Sequence, residues 1–140
     1  MTTKILQTVR RYPLSILCII LIWILSFVPF FPETPFDEVM FIDKWTHLVM
    51  YGGTCSMIWI EYLRQHTLLN KKKLFCWAWL APIVMSGIIE LLQEYATTTR
   101  SGEWFDFAAN STGVTIAALL GMLLAYFKVF NKNPRHETLR

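Results

Sequence analysis

Cysteine is scarce in this chain, with three among 140 residues. Cys18, Cys55 and Cys76 are odd in number and show no C-x-x-C spacing, which excludes a disulfide framework or a cysteine zinc site. Each sits in an apolar stretch and reads as a small core hydrophobe. Charge is scarce as well. Charged residues make up 16% of the chain against 54% hydrophobic, and they avoid several long stretches. That pattern excludes an ordinary soluble core and points to an integral membrane protein. Internal repeats and low-complexity tracts are missing. So are H-E-x-x-H spacing and a nucleophile elbow, so no standard hydrolase motif is present. The net charge of +3 is spread over connecting segments, which makes it a topology signal rather than a nucleic-acid footprint.

What is present is a set of four apolar runs, enough for one domain over residues 1–140. The first covers about 13–31 and starts at Pro13, whose missing N–H costs nothing in the first helical turn. It is longer than a signal-peptide core and no small-residue cleavage site follows, so it reads as a retained span ended by Pro29 and Pro32. An acidic connection with Glu33, Asp37 and Glu38 leads to the second run, about 43–63. That run carries Asp43, Lys44, His47 and Tyr51 near its start and is otherwise read as apolar. A basic linker with Arg64 and Lys71-Lys72-Lys73 precedes the third run, about 74–95, in which Pro82 is expected to introduce a kink. The fourth run is about 105–127, followed by a basic tail. The expected fold class is all-α, an integral membrane bundle of four transmembrane helices.

Orientation follows from the basic residues. With both termini cytoplasmic, Lys4, Arg10, Arg11, Arg64, Lys71, Lys72, Lys73, Lys128, Lys132, Arg135 and Arg140 fall inside, and only Lys44 and Arg100 outside. The bias holds at all three inner segments. In the fourth run Ala109, Gly113, Ala117, Gly121 and Ala125 recur every four residues. Such a stripe lets another backbone approach closely, either within the chain or in a homo-oligomer.

With that topology, polar residues gather at the outer end. Asp43, His47 and Tyr51 stack on one face of the second helix, Glu90 and Glu94 on the third, and Asp106 and Asn110 on the fourth. Gln93 neighbours Glu90, which lies roughly 8 Å below the outer end. Arg100 and Glu103 occupy the loop above. Charges at membrane depth are expensive and usually face a bundle interior or a wet cavity. The expected site is therefore a polar pocket lined by Lys44, His47, Tyr51, Glu90, Gln93, Glu94, Arg100, Asp106 and Asn110 in the outer half of the membrane.

The pieces Asp43-Lys44-x-x-His47-x-x-x-Tyr51, Glu90-x-x-Gln93 and Arg100-Ser-x-Glu103-x-x-Asp106-x-x-x-Asn110-x-x-Gly113 occur in the order of the VanZ-like family of small bacterial membrane proteins. The resemblance covers about residues 43–121 and rests on motif order and spacing together. It implies a multi-pass helical domain in the bacterial cytoplasmic membrane and a link to resistance against glycopeptide antibiotics such as teicoplanin.

Three functions are expected in turn. A binding or resistance module would engage membrane lipids, a lipid-linked cell-wall precursor or a lipoglycopeptide. Arg100 and Lys44 would then meet phosphate or carboxylate, and Trp45, Trp104 and Phe105 would sit at headgroup level. An intramembrane enzyme would draw its general acid and base from Asp43, His47, Glu90 and Asp106. No spacing assigns a metal, although one histidine with several carboxylates suits a divalent ion. A proton-coupled transporter or sensor would use the paired carboxylates, but the inner halves of spans one, three and four lack polar partners for a through-path.

Overall fold

The computed structural model describes residues 2–28, 41–66, 69–98 and 101–131, the side chains of 2–5 and 128–131 excepted. Arg100, the acidic connection over 29–40 and the tail over 132–140 lie outside the described residues. Every described element is a helix: α1 (Thr2–Arg11), α2 (Pro13–Phe27), α3 (Ile42–Gln65), α4 (Lys71–Leu74), a π-helical stretch (Phe75–Leu80), α5 (Ala81–Ala96) and α6 (Trp104–Asn131).

Proline punctuates the N-terminal part. The basic leader forms α1, and the chain breaks at Tyr12 (φ −129°, ψ 54°) because a residue before proline is pushed out of the helical region. The same rule ends α2. Val28, ahead of Pro29, is extended, so the helix stops at Phe27 rather than at Phe31 as the hydrophobic run implied. At 15 residues α2 is about 22 Å long, short of the roughly 30 Å of a bilayer core.

The start of α2 is held by a residue the sequence reading passed over. Glu61, near the end of α3 and almost fully buried, accepts the Leu14 N–H at Oε1 (2.9 Å). Its Oε2 accepts the Ser15 N–H (3.0 Å) and the Ser15 hydroxyl (2.5 Å). A carboxylate from another helix thus satisfies donors that a helix N-terminus leaves open and meets its positive dipole end. The second run is therefore not apolar beyond Tyr51.

The third run starts earlier than the hydropathy suggested, because Asn70 caps it through Oδ1 to the Lys73 N–H (3.0 Å). α4, the π-helical stretch and α5 form one continuous rod, Lys71–Ala96. Pro82 offers no N–H to the Ala78 carbonyl four residues back. The π-winding just before it accommodates the ring, and the buried Cys55 thiol donates to that carbonyl at 2.9 Å. Of the three cysteines only Cys55 is a core residue; Cys18 is half-buried and Cys76 exposed.

Among the described residues, two helices are long and apolar enough to cross a membrane, Lys71–Ala96 and Trp104–Phe127. Only 33% of each apolar window is buried, so most of the apolar surface points outward. α3 has the length, at 24 residues, but Asp43, Lys44, Glu61 and Arg64 make it more polar. α6 packs chiefly on α3 and secondarily on α5. Its small-residue stripe makes that contact, with Gly113, Ala117, Gly121 and Ala125 buried. At Gly113 a Cβ would overlap the Leu48 carbonyl, and Gly121 lies under the Trp59 ring. The stripe is thus covered by α3 of the same chain.

Candidate functional site

The start of α3, the end of α5 and the start of α6 meet at one end of the bundle, and their polar side chains form one connected cluster. Asn110 is its hub, at 1% exposure. Its Nδ2 donates to Ser86 Oγ (2.8 Å) and reaches Glu90 Oε1 (3.4 Å). Both partners accept, so the amide oxygen is left to face His47 Nδ1 at 3.1 Å. His47 Nδ1 is then the donor. In the neutral ring Nε2 is an acceptor, 3.6 Å from Asp106 Oδ2.

Above this core, Lys44 Nζ bridges three carboxylates: Asp43 Oδ2 (2.7 Å), Glu103 Oε2 (2.6 Å) and Asp106 Oδ1 (2.5 Å). Lys44 and Asp106 are mostly shielded, whereas Asp43 and Glu103 are open to solvent. The ammonium is committed to these groups rather than extended toward a ligand anion. The chain between α5 and α6 is drawn onto the cluster by carboxylates. Glu90 Oε2 accepts the Glu103 N–H and Glu94 Oε2 the Gly102 N–H, both at 3.1 Å. A Cβ at Gly102 would overlap the Glu90 carbonyl, so glycine permits the close approach.

A cavity of about 270 Å³ opens beside the cluster. Glu90, Glu94 and Glu103 supply its acidic wall, and Tyr95, Trp104 and Phe107 its aromatic one. Trp104 and Phe107 meet edge to face, 6.4 Å between ring centres.

Of the residues singled out by sequence, Asp43, Lys44, His47, Glu90, Asp106 and Asn110 come together as expected. Tyr51 is buried one turn below His47, with its hydroxyl near Ser86. Gln93 faces the other way and donates to the Ser26 carbonyl of α2 (2.8 Å). Glu94 is exposed and serves the loop, and Arg100 lies outside the described residues. Sequence reasoning missed Ser86, which sits four residues before Glu90 on the same helical face and was legible from that spacing. Glu103, a loop and motif residue in the sequence, joins the cluster through Lys44.

Among the described residues, two groupings have the donor chemistry for a divalent ion. His47, Glu90 and Asp106 each bring one ligand atom within 4.8 Å of the others. Asp43, Glu103 and Asp106 do the same, but Lys44 already contacts all three. Toward the opposite end the core between α3, the π-helical stretch and α6 is filled by Cys55, Ala78, Val114, Ala117 and Ala118. No family model, curated protein or solved structure matches the chain.

Proposed function

We propose that the chain is a four-span protein of the bacterial cytoplasmic membrane, with both termini inside, whose outer polar site binds the headgroup of an amphiphile at the cell surface. Lipid-linked cell-wall precursors and lipoglycopeptides belong to that chemical class. The observation that carries the reading is the cavity beside Glu90, with carboxylates on one wall and Tyr95, Trp104 and Phe107 on the other. Carboxylates accept hydrogen bonds from hydroxyl, amide and ammonium groups, and aromatic faces stack on sugar rings or hold a cation. The outward apolar faces of Lys71–Ala96 and Trp104–Phe127 support a membrane location, and the basic residues at the opposite end support the orientation.

The sequence resemblance to VanZ-like proteins adds a phenotype, protection against teicoplanin. The test is susceptibility of cells carrying Glu90→Gln or Asn110→Ala at wild-type membrane abundance. Loss of protection supports the reading. Unchanged susceptibility on deleting the whole gene removes the resistance role.

A second reading, an intramembrane enzyme acting on a lipid-linked substrate, is favoured by the convergence of His47, Glu90 and Asp106 donor atoms. His47 and Glu90 would then serve as acid and base, or with Asp106 would hold a divalent ion, which would supply Lewis-acid chemistry toward a phosphate or a water. Purified protein that turns over no lipid-phosphate precursor, with or without added metal, counts against it.

A further inference from the structure

At the other end of the bundle two hollows meet at the break between α1 and α2. One is an open basin of about 930 Å³ lined by Gln7, Thr8, Arg10, Arg11 and Gln65. The other is a cleft of about 430 Å³ between α2, α3 and the π-helical stretch. Thr8 and Arg11 belong to both. The cleft has apolar walls from Ile16, Ile19, Ile58 and Trp77, with Arg11 and Lys73 as its cationic residues. Its size lies within the range of small-molecule sites.

Among the described residues, no carboxylate lines either hollow. The acidic group packed nearest is Glu61, and both its oxygens are occupied by the Leu14 and Ser15 N–H groups and the Ser15 hydroxyl. That carboxylate faces the start of α2, whose dipole it offsets, leaving Arg10, Arg11 and Lys73 to set the local field. Tyr12 joins the two compartments: its N–H donates to the Thr8 carbonyl (2.9 Å) and its carbonyl accepts from Ile16 (3.1 Å). The Gln65 amide donates to the Arg11 carbonyl, so α3 fixes the floor of the basin.

A basic polar basin that shares a rim with an apolar cleft has the layout of an amphiphile with an anionic head and an acyl tail. We propose that this corner is a binding site for an anionic phospholipid of the inner leaflet. The phosphate is held by Arg10, Arg11 and Lys73, and one acyl chain lies along Ile16, Ile19 and Trp77. The site rests on the membrane reading and orientation given above, not on the ligand of the outer site. Basic pockets between spans on the cytoplasmic side bind anionic headgroups through this combination of charge and apolar shelter.

The test uses the full chain in detergent, titrated with phosphatidylglycerol or phosphatidylcholine of identical acyl chains and read by native mass spectrometry. Wild-type protein is expected to retain phosphatidylglycerol preferentially. The double variant Arg11→Gln/Lys73→Gln loses that preference by about tenfold. Arg64→Gln/Lys72→Gln, which removes two exposed cations that line neither hollow, keeps it. All three proteins should melt alike in phosphatidylcholine micelles, since the replaced side chains are exposed. Equal retention of the two lipids by wild type, or an equal loss in both double variants, overturns the site. Release of the protein from membranes by alkaline carbonate overturns the membrane reading and the site with it. Retention in the membrane without lipid preference defeats the site alone.

Discussion

His47 Nδ1 and Asn110 Oδ1 face each other at 3.1 Å across the contact between α3 and α6. The pair joins the two most extensively packed helices to Glu90 and Ser86 on α5. Replacing Asn110 by leucine leaves His47, Ser86 and Glu90 short of a partner in a buried place. The expected loss is about 2–3 kcal/mol, the cost of uncovering buried polar groups. Thermal melting in detergent measures it, and Asn110→Gln is expected to recover only part.

Lys44 holds Asp106 at 2.5 Å while also meeting Asp43 and Glu103. Lys44→Met should therefore be destabilising by about 1–3 kcal/mol, between the values for exposed and buried pairs. The same change in an Asp106→Asn background should cost less, because one uncompensated carboxylate is gone. A double-mutant cycle reads the difference; additive losses would show that the ion pair carries no coupling.

The glycines separate close approach from open space. Gly113→Ala places a Cβ on the Leu48 carbonyl, so α3 and α6 must part. An overpacking cost of about 1–3 kcal/mol is expected. Gly53, one turn below Val49, has open space around it, and Gly53→Ala should stabilise by up to about 1 kcal/mol through helix propensity. Opposite shifts in melting temperature are the expected result.

Glu61 makes its three bonds at the start of α2. Glu61→Ala uncovers two N–H groups at once and should lose about 2 kcal/mol or more, at the upper end of capping effects. Glu61→Gln keeps one acceptor oxygen and should lose less. Protease accessibility of the α1–α2 junction provides a second readout, rising in the order wild type, Gln, Ala.

Cys55 donates to the carbonyl that Pro82 leaves open. Cys55→Ser keeps a donor of similar size, whereas Cys55→Ala removes it and leaves a small void. Alanine is expected to cost about 1 kcal/mol more than serine, and melting curves of the two variants decide this.

How far these relations could be read from residues alone depended on their period. Asp43-His47, Glu90-Glu94 and Asp106-Asn110 are spaced for one helical face, so the cluster at one end was legible once the apolar runs were placed. Gln93 was assigned to it by adjacency, yet the helical turn of about 100° per residue carries its side chain to Ser26 on α2. Glu61 was lost because a single carboxylate in an apolar run gives no periodic signal; its partners are the backbone of a helix 46 residues away. Helix ends moved where local chemistry overrode hydropathy, at Val28 before Pro29 and at the Asn70 cap. The π-winding before Pro82 has no counterpart in composition and depends on packing against α3.

The proposed role places the Ser101 end of the bundle outside the cell and the lysine triplet inside. Single-cysteine labelling of intact cells with a membrane-impermeant maleimide tests this, in a background with Cys18, Cys55 and Cys76 replaced by serine. Ser101→Cys, on the exposed loop beside the cavity, is expected to label without permeabilisation, and Lys72→Cys only after it. Labelling of Lys72→Cys in intact cells, with Ser101→Cys protected, would contradict the account.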